Sequence, residues 1–472
     1  GLLHRRVGLL DAQFRLAQAD FSVVLVVAGV EGSGKGETVN LLLNWMDARG
    51  IETHALGKPS EGEKERPEFY RYWKRLPPKG RVGIFFGSWY TRPISRHSLG
   101  KLDDVGFEDS LRRIEDFERM LEAEGVLLIK LWLHIDKKQQ KKRFKQLEEH
   151  PDTAWRVTGR DWRYHRSYDE FARSASRALR RTHSAGAPWE VVEAWDTRYR
   201  HVRAAEVVLQ ALEGHLARPR AEPSEKPELP VSTMPNILSR LDLSQKAEYE
   251  VRKQIRELQW RIGRQARELQ KKQRSLVIVF EGSDAAGKGG SIRRILHGLD
   301  ARFYQVIQVA APDSEERARP YLWRFWRRLP RHGHFTIFDR SWYGRVLVER
   351  LEGFCHPRDW QRAYSEINDF EEQLVKSGCG VLKFWLAISQ EEQLRRFQQR
   401  EALGFKRYKI TEEDWRNRDK WQAYEAAACD MIEHTSSDLA PWTLVEAEDK
   451  DFARLKVLST VNAHLRQVLK PE

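Results

Sequence analysis

Ser275–Ser291 reads SLVIVFEGSDAAGKGGS, and this stretch decides the fold. Leu276–Phe280 is an apolar, largely β-branched run, which predicts a buried strand. The run breaks into a loop holding Gly282, Gly287, Gly289 and Gly290, and a helical pattern begins at Ile292. Gly282, four intervening residues, Gly287 and Lys288 have the spacing of a phosphate-binding loop. Glycines let backbone N–H groups turn inward around phosphate oxygens, and the lysine adds a point charge. One position departs from the pattern: Gly289 stands where a Ser or Thr would ligate magnesium.

Working outward, an earlier stretch repeats this one. The strand-like run VVLVVAGV (Val23–Val30) leads into Glu31-Gly32-Ser33-Gly34-Lys35-Gly36. Glu281 lies 250 residues after Glu31, whereas Lys288 lies 253 after Lys35. The first loop therefore reads as three residues shorter, without a counterpart of Asp284. From Lys35 to Asp196 the register of 253 holds with no further gap. It matches Trp73 with Trp326, Ser88-Trp89-Tyr90 with Ser341-Trp342-Tyr343, Trp132 with Trp385, Asp161-Trp162 with Asp414-Trp415, and Pro188-Trp189 with Pro441-Trp442. Tryptophan is rare enough that such matches in one register mark a tandem duplication. Ala217–Asn236 carries five prolines among polar residues and reads as an extended linker. The expected division is a first domain over 1–216, a linker over 217–236 and a second domain over 237–472.

Composition narrows the partners. The 472 residues carry a net charge of +13, which points to a polyanion as substrate or partner. No apolar run is long enough to span a membrane. No basic segment with an apolar core opens the sequence. Three cysteines without a CxxC pair argue against disulfides or zinc, and the expected compartment is the cytoplasm. A nucleic-acid-binding protein using the charge and the many tryptophans is the rival from another class. Tryptophans recurring in one register fit core or site architecture better than a stacking platform.

Within the second repeat, the apolar runs Val306–Val309, Phe335–Phe338, Val381–Leu386 and Trp442–Val445 alternate with helical stretches. That alternation predicts an α/β fold with a parallel sheet covered by helices on both faces, its ligands at the carboxyl ends of the strands. Asp339 follows the run His334–Phe338, the place where phosphotransferases hold magnesium. Arg340 next to it suits phosphate oxygens. Asp284 inside the loop would repel phosphates unless a bridging Mg²⁺ or an orienting role removed the conflict. Arg396–Lys420, dense in Arg and Lys and broken by Gly404, has the composition of a mobile basic lid.

On these residues the second half resembles the polyphosphate kinase 2 family: EGSDAAGKGG, then FDRSWYGR, then a lid pattern R-F…K-x-Y-K…D-x-x-x-R-x-x-W-x-x-Y, then APW…EDK. The tandem arrangement is similar to the family's class II. The resemblance implies a P-loop kinase-like fold with a helical lid and Mg²⁺-dependent transfer of the terminal phosphoryl group of inorganic polyphosphate to AMP, giving ADP. It implies Asp284, Lys288, Asp339, Arg340 and Arg418 as catalytic residues, with Asp284 and Asp339 on the metal. It implies phosphate or nucleotide contacts from Gly282, Ala285, Ala286, Gly287, Gly289, Gly290, Arg293, Lys406 and Lys409. Pairing of the two repeats within the chain is expected, with room for further dimerisation.

In the register of 253, Asp339 and Arg340 fall on Phe86 and Gly87, Lys406 on Thr153 and Arg418 on His165. Scaffold residues persist while charged site residues vanish, so the first repeat is expected to be catalytically silent. Two other phosphotransferases would use the same loop and lid: an ATP-dependent nucleoside or nucleotide kinase, and a polyphosphate kinase preferring nucleoside diphosphates. GKGG in place of GKS or GKT, together with Asp284, speaks against the former.

Overall fold

The structure is a computed structural model describing residues 2–218, 236–402 and 412–470. In the first repeat the strands are β1 (Val23–Gly29), β2 (Ile51–Ala55), β3 (Val82–Phe86), β4 (Leu127–His134) and β5 (Trp189–Glu193). In the second they are β6 (Ser275–Gly282), β7 (Tyr304–Gln308), β8 (Phe335–Asp339), β9 (Cys379–Ala387) and β10 (Trp442–Glu446). The helices that matter below are α1 (Lys35–Trp45), α2 (Thr91–Ser98), α3 (Asp104–Ala123), α4 (Lys137–Glu149), α5 (Gly159–Arg166) and α6 (Thr197–Leu216). Their second-repeat companions are α7 (Val251–Lys271), α8 (Lys288–Leu296), α9 (Pro357–Lys376), α10 (Gln390–Ala402), α11 (Glu412–Asp419) and α12 (Lys450–Val468).

Both sheets are five-stranded and parallel, in the orders β2-β3-β1-β4-β5 and β7-β8-β6-β9-β10. The phosphate-loop strand is central in each, which buries it on both faces and explains its unbroken apolar run. Along β6, Leu276, Ile278 and Phe280 join a core with Ile262 and Leu269 of α7 and Val457 and Leu465 of α12. α9 packs on the opposite side through Ile367, Phe370 and Leu374. There the edge of Trp342 meets Phe370 with ring centroids 5.0 Å apart, and Trp326 lies 5.0 Å from the same ring. The first repeat builds the same cluster from Trp89, Trp73 and Phe117. Four of the recurring tryptophan pairs, Trp73/Trp326, Trp89/Trp342, Trp132/Trp385 and Trp189/Trp442, are core residues, each adding on the order of 2 kcal/mol through burial, whereas Trp162 and Trp415 are half-buried.

Strand register corrects the expectation of a shortened first loop. β1 pairs Gly29 with Leu133 of β4, and β6 pairs Gly282 with Leu386 of β9. Both pairs stand 253 apart, so the offset holds through the loop with no gap. Gly29, four residues, Gly34 and Lys35 form a full-length phosphate loop in which Glu31 takes the place of Asp284. The two glutamates Glu31 and Glu281 coincide in type but not in position; Ala28 is the counterpart of Glu281.

Among the described residues no helix is long and apolar enough to cross a membrane. Of the linker, 219–235 lie outside the described residues. The described structure divides into two compact units, each of which takes in one short segment of the other repeat: Pro312–Trp323 join the first and Ser60–Tyr70 the second. In the first unit Lys79 N donates to Ala318 O (2.7 Å) and Arg319 Nε to Leu76 O (3.1 Å). In the second, Arg331 pairs with Glu65 at 2.6 Å.

One buried polar network is duplicated. Trp342 Nε1 and Tyr343 OH both donate to Glu371 Oε1 (3.0 and 2.7 Å), while Lys383 Nζ donates to Glu371 Oε2 and Thr435 O (2.7 Å each). In the first repeat Trp89, Tyr90 and Lys130 make the same bonds to Glu118 and Thr182 O. Burial pushes the Glu371 carboxyl up, with Lys383 opposing, and pushes the Lys383 ammonium down. Each charge is tolerated only because the other is present. Glu371→Ala is expected to lower stability by about 3–5 kcal/mol, because it leaves a buried lysine unpaired. Urea unfolding measures it, and a loss below ~1 kcal/mol would show that the network is not a structural pin.

Candidate active site

The loop after β6 is shaped by backbone conformations that few residues adopt. Gly282 has φ +131°, and a Cβ there would clash with Leu386 O. Ala285 sits in the left-handed region with φ 65°, and Gly287, at φ 107°, caps α8. Lys288 opens α8, and its Nζ donates back to Gly282 O (2.8 Å) and Ser283 O (3.2 Å). The lysine is thereby held over the mouth of its own loop, at the helix N-terminus where anions bind.

Carboxylates and cations converge here from three elements. Asp284 in the loop is 9% exposed and forms an ion pair with Arg340, the residue after β8. Its other oxygen accepts from Asn417 Nδ2 of α11 at 3.0 Å. Burial works to raise the Asp284 carboxyl, but Arg340, Lys288 and Asn417 outweigh it and hold its pKa below the usual value. Burial lowers the Lys288 ammonium, with Arg340 adding repulsion and Asp284, Asp339 and Glu281 opposing. Glu281 is buried at the end of β6, accepts from Ser341 Oγ at 2.8 Å, and is raised by burial. Asp339 ends β8 beside Phe280 and is half-buried.

Arg340 holds a left-handed conformation with φ 60°. A non-glycine residue there is uncommon, and strain of this kind gathers at working sites. Its counterpart Gly87 has φ 85°. The backbone turn is shared by both repeats, but only the second sets a guanidinium on it.

Two further braces were not singled out by the sequence reading. Arg396 of α10, 3% exposed, donates to Ala285 O (2.9 Å), Ala447 O (2.7 Å) and Glu448 O (2.8 Å). Gln393 Nε2 donates to Asp284 O at 3.2 Å. Among the described residues Arg418 reaches the loop through this glutamine: its Nη1 donates to Gln390 O (2.7 Å) and Gln393 Oε1 (3.2 Å). For Arg396 and Arg418 the signal was the Arg- and Lys-dense composition of 396–420, which does not tell a brace from a lid, and Gln393 lies outside that stretch. Arg293 is exposed on α8, Gly289 and Gly290 lie in its first turn, and Ala286 is buried under the loop. Lys406 and Lys409 lie outside the described residues.

The first repeat keeps the loop but not the residues around it. Lys35 Nζ donates to Gly29 O (3.1 Å) and Val30 O (3.0 Å), as Lys288 does to their counterparts, but also pairs with Glu31 at 3.2 Å. With no arginine at position 87, the loop carboxylate turns to the loop lysine. Arg200 of α6 takes over the bracing, donating to Ser33 O (3.3 Å) and Ala194 O (3.0 Å). Ala194 is the counterpart of Ala447, so the same carbonyl is held from a different helix.

A family model described as polyphosphate kinase 2 matches residues 2–220 and 244–472. The chain belongs to the polyphosphate kinase 2 family. It is 50% identical over 478 residues to the polyphosphate:AMP phosphotransferase of Pseudomonas aeruginosa, an alignment spanning 100% of this chain and 96% of that protein. It is 37% identical over 465 residues to the polyphosphate:AMP phosphotransferase of Acinetobacter johnsonii, covering 97% of this chain and 95% of that one. A crystal structure of a polyphosphate kinase 2 from Pseudomonas aeruginosa PA01 matches with a TM-score of 0.88 at 48% identity, over 99% of this chain and 94% of its own. The family model covers both repeats, so the two loops belong to two members of one family within a single chain.

Magnesium is tested against the donor set. Asp339 offers hard carboxylate oxygens at the strand end, which suits Mg²⁺. Asp284, the second expected ligand, has one oxygen engaged by Arg340 and the other by Asn417. Among the described residues no group of three or more His, Cys, Asp or Glu is placed to hold a metal. Mg²⁺ in phosphotransferases rests on one or two carboxylates with substrate phosphates supplying the rest, and the site fits that pattern.

Proposed function

We propose that this chain transfers the terminal phosphoryl group of inorganic polyphosphate to AMP, giving ADP, and that the second repeat carries the reaction. The convergence of Lys288, Arg340, Asp284 and Asp339 on one loop mouth is the observation that carries the reading. The names of the full-length relatives support AMP as acceptor. An AMP phosphate oxygen attacks the terminal phosphorus in line. The bond to the bridging oxygen breaks, and the chain leaves one unit shorter with the electron pair on its new end. Such transfers need positioning and charge neutralisation rather than covalent chemistry.

Loop N–H groups and Lys288 cradle the phosphates, and Arg340 neutralises charge as it builds. Asp284 holds the Arg340 fork in place and, through Asn417, ties α11 to the loop. Asp339 would hold Mg²⁺, which when bound would neutralise phosphate oxygens. Arg418 acts as a positioning residue through Gln393, and Lys406 and Lys409 would add lid charge. The first repeat is read as silent, because Phe86 and Gly87 replace the metal carboxylate and the arginine and Glu31 engages its lysine. With polyphosphate as sole donor and AMP as acceptor, ADP should accumulate as the polymer shortens. No ADP under those conditions, with ATP-dependent turnover instead, would overturn the reading.

A further inference from the structure

The silent repeat holds a cavity of about 400 Å³ at the carboxyl ends of its strands. This is the size of a small-molecule site. Its position is that of the second repeat's reaction site, but its lining has changed character. Ala28, Phe86, Gly87 and Tyr164 stand where the second repeat has Glu281, Asp339, Arg340 and Asn417. Two carboxylates, a guanidinium and an amide have given way to apolar and aromatic surface. Trp132 and Phe171, stacked with centroids 6.1 Å apart, add further aromatic wall.

Most of the polar groups that remain are already engaged, while Arg160 keeps its charge at the exposed rim. Lys35 spends its donors on Gly29 O, Val30 O and Glu31. Gln140 donates to Glu31 O at 3.0 Å and bonds His165 Nδ1 at 2.7 Å. The Ser95 and Tyr164 hydroxyls bond each other at 3.0 Å, and Tyr168 OH donates to Ile135 O at 2.7 Å. Arg160 lies over the Tyr164 ring at 5.4 Å. Bringing a phosphate here would strip its water against Phe86 and Ala28 and set it beside the Glu31 carboxylate, with a lysine already engaged. A flat uncharged ring system meets no such penalty and gains aromatic contact on several sides.

We propose that the first repeat's cavity is a binding site for a neutral planar heteroaromatic ligand, a nucleobase or unphosphorylated nucleoside, kept after its phosphate chemistry was lost. The inference rests on the reading of this repeat as silent. Adenosine is the probe, followed by equilibrium dialysis with the full chain. Two substitutions confined to the first repeat report on the site. Gly57→Trp fills the cavity from a lining position where a Cβ meets open space. Tyr164→Ala removes a wall, and Tyr164→Phe restores the ring.

Adenosine should bind with an affinity changing less than about twofold between ~50 and ~500 mM salt, as befits an uncharged ligand. A component of that binding should weaken about tenfold in Gly57→Trp and Tyr164→Ala and persist in Tyr164→Phe, with ADP formation unchanged in all three. Equal binding by wild type and both disruptive variants overturns the proposal, as does displacement of that component by tripolyphosphate. Silence is read separately from residual ADP formation by Asp339→Ala. If that variant keeps turning over and Tyr164→Ala removes the remainder, the cavity is catalytic and the proposal falls.

Discussion

Arg340→Gly and Arg340→Ala should each lose about 10³-fold in kcat/KM for ADP formation, and the glycine variant should be the more stable of the two by about 1 kcal/mol. The activity loss follows from the role proposed for this guanidinium at the transferring group and from its ion pair with Asp284. Both variants lose the same ion pair, so their difference isolates the backbone. Residue 340 sits at φ 60°, where a Cβ is strained and glycine is not. The first repeat shows the relaxed solution, Gly87 at φ 85°. Thermal unfolding of the pair reads the strain, and a glycine variant less stable than the alanine one would show that no strain is stored there.

The same substitutions move an acid limb. The Asp284 carboxyl is held low in the folded protein, so its contribution is present above the unfolded pKa near 4 and is lost as pH falls through the depressed folded value. Without Arg340 the folded pKa rises and that stabilisation shrinks. The acid destabilisation contributed by this carboxyl should therefore be smaller in both variants than in the parent, with its onset still near the unfolded pKa, and urea unfolding between about pH 5 and pH 3 measures it.

The parallel α/β sheet, the phosphate loop of the second repeat and the Trp register were legible because each depends on a local pattern: apolar runs alternating with helices, a glycine spacing, a rare residue at fixed offset. The loop length of the first repeat was misread, because matching Glu31 to Glu281 by type introduced a gap that backbone pairing does not contain. Glu31 is instead the loop acid, and its fate depends on whether position 87 supplies an arginine. That is a contact across 56 residues of chain, as is Arg340 with Asp284. Arg396 and Arg200 brace the same loop from different helices, so no positional comparison of the repeats could pair them. The duplicated Glu371 and Glu118 networks were signalled only as Ser-Trp-Tyr triplets; their carboxylate and lysine partners lie on other elements.

Asp339→Ala in the full chain should abolish ADP formation, with a fall of at least ~10³-fold and no burst of activity from the first repeat. The loop of the first repeat is complete in length, so the expected failure to compensate comes from chemistry rather than from chain geometry. Three features impose it. Phe86 offers no metal ligand, Gly87 offers no fork of donors, and Glu31 is bonded to the lysine that would otherwise meet phosphate. These act on one site and are not additive, since restoring the carboxylate alone leaves Glu31 on Lys35. Phe86→Asp placed in the Asp339→Ala chain should therefore recover nothing measurable, whereas Phe86→Asp with Gly87→Arg gives Glu31 a partner of the kind Asp284 has. Leu56 O lies 2.7 Å from a Cβ at position 87, so that arginine also needs the β2 exit to shift, and recovery should stay well below the parent rate. Turnover by Asp339→Ala above about a tenth of the parent would mean that the first repeat transfers phosphate by a route that needs neither group.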